Sequence, residues 1–247
     1  MKFSLLIYFI MLSGFFNQIS SQQIFKNSIK KYQIVLSKNE KSYFDLVVSL
    51  QNKPLLKKTY PLIKLYFYNL DSQPEDEMIV VAGSLYNQDT VNTLFVYTFE
   101  DKFRFCDSIY LGNLLPEFYQ FDFEGNYFIK IYDPEIEKAF PSSRPELPFN
   151  FYYLKDCILE FDNEYSFEEF EAEINYLVEE IYNLKKDMDC TDLEAKNDFQ
   201  RLLACLYVDL LNSGKSFDFE NFVYKNYPCD DRETFLKKIN SIFEATQ

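Results

Sequence analysis

Residues 149–188 read FNFYYLKDCILEFDNEYSFEEFEAEINYLVEEIYNLKKDM, and the hydrophobic period changes inside them. Up to Phe161 the run is aromatic and β-branched, in the manner of strands. From Ser166 onward, Phe167, Phe170, Ile174, Leu177, Ile181, Leu184 and Met188 recur at alternating steps of three and four. That is the stripe of a helix lying along another helix. Ser166-Phe167-Glu168-Glu169 has the form of a capping box, with the serine hydroxyl on the Glu169 amide and Glu169 reaching back. The chain is therefore expected to divide near residue 163 into strands before and helices after.

The strand-like pattern extends back to about Lys31. Its runs are Tyr32–Leu36, Tyr43–Leu50, Ile63–Tyr68, Met78–Ala82, Leu94–Phe99, Phe103–Cys106, Phe118–Phe123, Tyr127–Tyr132 and Phe149–Phe161. Turn signals separate them at Asn52-Lys53-Pro54, Ser72-Gln73-Pro74 and Glu100-Asp101-Lys102, with a tight hairpin expected at Glu124-Gly125-Asn126. Pro141 to Pro148 carries three prolines and is expected to be a rigid surface connection. Short strands with short links predict one antiparallel sheet folded on itself rather than βαβ units. Forward of Met188, Thr191-Asp192-Leu193-Glu194 is a second capping box. It opens a helix with Phe199, Leu202, Leu203, Leu206, Leu210 and Leu211 on its apolar side, ended by Gly214. A short helix over Asp218–Asn226 stops before Pro228, and a last one follows Asp230-Asp231-Arg232-Glu233, with Phe235, Leu236, Ile239, Ile242 and Phe243 inward. The expected fold class is α+β, an antiparallel β-rich region over 22–162 and a bundle of about four helices over 163–247.

Composition closes off whole chemistries. Across 247 residues there is no histidine and no tryptophan, so imidazole-activated nucleophiles and histidine-bearing zinc sites are excluded. The five glycines, at 14, 83, 112, 125 and 214, never take the spacing of a nucleotide-binding loop. No pattern points to a cofactor or a bound metal. With 27 Phe and 20 Tyr the core is expected to be aromatic, although clusters such as Leu65-Tyr66-Phe67-Tyr68, Phe103–Phe105 and Phe149-Asn150-Phe151-Tyr152-Tyr153 also suit a recognition surface.

The amino terminus reads as a targeting segment. Met1-Lys2 is followed by an apolar stretch from Phe3 to Phe16, too short for the roughly 20 residues that span a bilayer. Asn17 to Ser21 then turns polar and small, so a signal peptide over 1–21 is expected, cut after Ser21 with Ile19 at the −3 position. No other stretch is apolar enough to span. The mature protein is expected to be secreted or periplasmic. Its five cysteines then suggest disulfides. Cys190 and Cys205 lie about 21 Å apart along one helix and cannot pair. The reading favours Cys205–Cys229 and Cys106–Cys157, leaving Cys190 unpaired, and finds no CxxC spacing.

The net charge is −14, which disfavours nucleic acid as a partner. It is unevenly spread. Residues 22–70 hold nine lysines against Glu40 and Asp45, whereas residues 149–247 hold ten basic and 22 acidic side chains. The lysines either neutralise the acidic remainder within the fold or form a basic docking face. Paired carboxylates at Glu168/Glu169, Glu179/Glu180 and Asp230/Asp231 fall on helix caps or polar faces, where solvation is expected.

Asn69-Leu70-Asp71-Ser72-Gln73-Pro74-Glu75-Asp76-Glu77-Met78-Ile79-Val80-Val81-Ala82-Gly83 resembles the FG-GAP or VCBS class of extracellular β repeat, and residues 121–133 resemble a shortened second copy. The likeness implies an extracytoplasmic β domain. In that class an Asp-rich turn binds calcium, here implicating Asp71, Glu75 and Glu77; Gln73 and Pro74 depart from the pattern, and two copies cannot close a propeller. The functional expectation is an exported, non-enzymatic binding protein of unknown partner and oligomeric state, with a basic protein met by Glu168, Glu171 and Glu179 on the outer side of the first helix as one candidate. The alternative is a carboxylate-dependent, glycosidase-like hydrolase.

Overall fold

The structure is a computed structural model and describes residues 22–86, 89–120, 126–162, 166–214 and 217–244. The expected signal peptide and the Glu124-Gly125 part of the expected hairpin lie outside the described residues. The class is α+β. Three four-stranded antiparallel meanders follow one another: β1 (Gln22–Ile29) to β4 (Lys53–Tyr60) through β2 (Tyr32–Lys38) and β3 (Phe44–Leu50), then β5 (Leu62–Tyr68), β6 (Glu77–Tyr86), β7 (Asp89–Thr98) and β8 (Arg104–Gly112). The third sheet holds β9 (Glu117–Tyr119), β10 (Phe128–Tyr132), β11 (Phe149–Lys155) and β12 (Ile158–Asp162), with α1 (Pro134–Ala139) between β10 and β11.

Strand alternation stacks these sheets as layers. On β6, Met78, Val80 and Ala82 pack with Ile34, Leu46 and Val48 of the first sheet. Their neighbours Ile79 and Val81 point the other way, onto Ile129 and Ile131 of the third sheet. Phe128, Phe149 and Phe151 on the far face of the third sheet meet Phe170 of α2 (Phe167–Lys186), whose ring stacks 5.3 Å from Phe149. The order is first sheet, second sheet, third sheet, helices. Each inner layer is apolar on both faces because period-2 alternation presents a different side chain to each neighbour.

Three features differ from the sequence reading. Strands β1 and β4 lack an apolar run because they are edge strands with exposed, lysine-bearing sequences. The run Phe149–Phe161 is a hairpin, turning at Asp156-Cys157 with φ of 51° and 66°, a two-residue turn made without glycine. The segment 141–148 is not a plain surface link. The buried Arg201 donates to the carbonyls of Glu137, Phe140 and Glu146 and ties it down.

The helical region holds α2, α3 (Leu193–Asn212), α4 (Phe219–Asn226) and α5 (Arg232–Glu244). Phe170, Ile174, Leu177 and Ile181 of α2 are buried, as are Phe199, Leu202, Leu203, Leu206 and Leu210 of α3 and Phe235, Leu236 and Ile239 of α5. Leu184, Met188 and Ile242 are partly buried, Phe167 and Leu211 turn outward, and the Phe243 side chain lies outside the described residues. Leu177→Ala is expected to cost about 2–5 kcal/mol from lost transfer energy and the cavity left behind. An unchanged chemical-denaturation midpoint would show that the seam is not packed.

Neither capping box forms. The Ser166 hydroxyl donates to the Asp162 carbonyl and its amide to the buried Asp162 carboxylate, so strand end and helix start are tied together instead. At α3 the cap is Asp192, which accepts from the amides of Glu194 and Ala195, while the Thr191 hydroxyl donates to Asp189. Asp218 caps α4, and Gly214 follows α3 with φ of 64°.

Cys106 and Cys157 are bridged, with Cα atoms 4.7 Å apart, joining β8 to the β11–β12 turn. The expected Cys205–Cys229 bridge is not formed. Cys229 pairs with Cys190, and Cys205 is a buried free thiol. Counting only helical rise placed Cys229 level with Cys205, but the chain leaves α4 through Tyr227 in extended backbone, and an extended residue advances about twice as far as a helical one. The return path therefore spans most of α3. Tyr227 already lies against Phe199 and accepts from Gln200, and Asp231 pairs with Lys196.

Candidate functional site

The outer side of α2 is the first of two places where polar side chains gather. At about 100° per residue, Glu168, Glu171 and Glu179 fall within an arc of about 80°. All three are exposed, opposite the buried Phe170–Ile181 stripe. Their neighbour Glu180 instead meets Arg144 at 2.6 Å. Arg144 also grips the buried Glu146, which accepts from the Tyr176 hydroxyl at 2.7 Å. Although burial opposes it, these donors hold the Glu146 carboxyl below the usual range. This clip fixes α2 against the 141–148 segment. Asp231 is likewise taken by Lys196, Tyr227 and Gln200.

The second place is a cleft of about 470 Å³ where loops of the second and third sheets meet, lined by Asp71, Glu100, Arg104, Asn126, Lys155 and Asp156 among others. Backbone bonds from Tyr127 to the Asn69 carbonyl and from Leu154 to the Leu70 carbonyl close its floor. Asp71 and Glu100 come within hydrogen-bond reach. That contact, with partial burial, pushes the Glu100 carboxyl up against the opposing pull of Arg104.

The carboxylates that the repeat resemblance implicates, Asp71, Glu75 and Glu77, are each engaged separately. Asp71 accepts from the Gln73 amide, Glu75 pairs with Lys30 at 2.8 Å, and Glu77 is fully buried and accepts from the Leu70 amide. Among the described residues no group of three potential ligands is placed to hold a metal ion. The aromatic clusters are mostly packing. Phe118 sits among Tyr66 and Tyr68, Phe103 lies on Tyr97 and Phe99, and Phe105 is the ring left more than half exposed.

Beyond Glu77, the sequence reading also missed the half-buried Lys130 and the buried Asp209. Lys130 lies 3.8 Å from the centre of the Phe149 ring, with Tyr119 and Tyr132 beside it. Asp209 on α3 is fully buried with neither carboxylate oxygen bonded among the described residues. Burial drives Asp209 well above its ordinary range, Glu173 adds to the shift and Lys130 opposes it. Alternation could have flagged Lys130, an isolated charge on the Phe128–Tyr132 face. Nothing in the pattern around Asp209 marks it as inward. The family models, curated proteins and solved structures compared with this chain include no match to it.

Proposed function

We propose that this protein is an exported, non-enzymatic interaction module that docks a cationic protein surface on the outer face of α2. The observation that carries this reading is the placement of Glu168, Glu171 and Glu179 together on the open side of a helix held firmly from behind. A pre-ordered charged face spends little entropy on binding and steers an oppositely charged partner. The net charge of −14 and the two disulfides suit such a role outside the cytoplasm. So does the resemblance of residues 69–83 to an extracellular class of β repeat. With decalysine as a probe, association should be fast at low ionic strength and slow as salt rises. Replacing the three glutamates by glutamine should lower the rate about tenfold. Rates indifferent to both salt and substitution would overturn the reading.

One observation favours a hydrolase instead, the meeting of Asp71 and Glu100 in a polar cleft. Their separation argues against the glycosidase form. Retaining and inverting enzymes hold their carboxyls about 5–5.5 Å and about 6.5–9.5 Å apart, leaving room for the sugar or a water, whereas these two come within hydrogen-bond reach of each other.

A further inference from the structure

We propose that the cationic partner of α2 is a second copy of this chain, which presents the open face of its first sheet, so that copies join head to tail. The proposal rests on the docking reading above and names its partner. The first sheet and the helices are the two end layers of the stack, so the faces they turn outward look in opposite directions. On the first sheet Ile34, Leu36, Leu46 and Val48 point inward, which leaves Lys26, Val35, Val47 and Lys57 outward. These four are in register across all four strands, a lysine at each end and two valines between. With strands about 4.8 Å apart the lysines stand about 14 Å from each other. Glu168 and Glu179 stand about 16 Å apart along α2, with Ala172 and Asn175 exposed between them. The two rows match in length and oppose in charge.

The lysines of this end are not spent inside the fold. Of the nine in residues 22–70, Lys30 has an ion pair among the described residues, with Glu75. The net charge of −14 on each copy opposes association, and the balance depends on range. At 0.01 M salt the screening length is about 30 Å and whole molecules repel; at 0.1 M it is about 10 Å, so distant charges fade while pairs in contact still attract. A contact between two different faces does not close on itself unless the rotation happens to, so it builds chains rather than symmetric dimers.

Sedimentation of the full chain over a range of concentrations tests this. The average mass should rise with concentration near 0.1 M salt and return to that of a monomer at 0.5 M. Two variants, Lys26→Gln with Lys57→Gln, and Glu168→Gln with Glu171→Gln and Glu179→Gln, should each weaken self-association about tenfold while keeping the native unfolding midpoint. Mixed, they should form a one-to-one dimer that grows no further, since each retains one working face. A monomer at every salt and concentration overturns the proposal, as does a dimer that neither variant disturbs. If the monomeric chain still binds decalysine through α2, the self-association alone has failed; if it does not, the docking reading has failed with it.

Discussion

Glu77→Gln is expected to make the protein more stable at pH 8.5 and to leave it nearly unchanged at pH 5. Glu77 opens β6 with no solvent exposure; one carboxylate oxygen accepts from the Leu70 amide and the other has no partner among the described residues. Burial, with smaller contributions from the charges of Asp71 and Glu100, pushes its pKa from 4.5 up to about 8 against the pull of the Leu70 amide. Because the folded value lies above the unfolded one, the native chain binds the extra proton throughout that interval. The stability this gives is complete below pH 4.5 and is lost as pH rises through about 8. At 1.36 kcal/mol per unit, the loss over the window is on the order of 4 kcal/mol. Glutamine keeps an acceptor for Leu70 and never ionises. Asp209 contributes a loss of the same sign, so the difference between native and variant midpoints isolates Glu77. Midpoints that fall in parallel for both proteins between pH 5 and pH 8.5 would place the cause elsewhere.

Cys229→Ser and Cys190→Ser should each destabilise the protein by about 4 kcal/mol, and the double variant by no more than either alone. The bridge closes a separation of 39 residues around α3 and α4, and the loop-entropy cost removed from the unfolded chain is about 4 kcal/mol for such a loop. Cys205→Ala should cost only about 1 kcal/mol, the effect of a small core truncation. Burial pushes the Cys205 thiol well up, so it stays protonated and inert. Digestion without reduction should release the peptides of Cys190 and Cys229 joined. Recovery of Cys205 joined to Cys229 would refute the assignment.

What could be read directly was whatever depends on neighbours along the chain. The change of period near residue 163 separated strands from helices because each element repeats its apolar side at its own interval, and α2, α3 and α4 follow the stripes and stops written into them. Glu168, Glu171 and Glu179 could be placed outward for the same reason, since a helix that buries Phe170, Ile174 and Leu177 has one side left for water. The lack of histidine settled much of the chemistry outright.

Long-range packing decided the rest. Three separate sheets, rather than one folded sheet, arise because β6 and the third sheet are apolar on both faces, and only stacking shows which side chain meets which layer. The edge strands β1 and β4 escaped notice because hydrogen bonding to a single neighbour, not hydrophobic alternation, makes them strands. Cys229 found Cys190 because the extended exit from α4 at Tyr227 carried the chain farther than its helical length implied. The Ser166 hydroxyl turned back to the Asp162 carbonyl instead of capping α2, and at α3 the cap passed from Thr191 to Asp192. Glu77 and Asp209, polar in any alphabet, were carried inside by the apolar residues on either side of them. Local sequence fixes which way a side chain points from its own element, but what stands opposite it is supplied by residues far away in the chain.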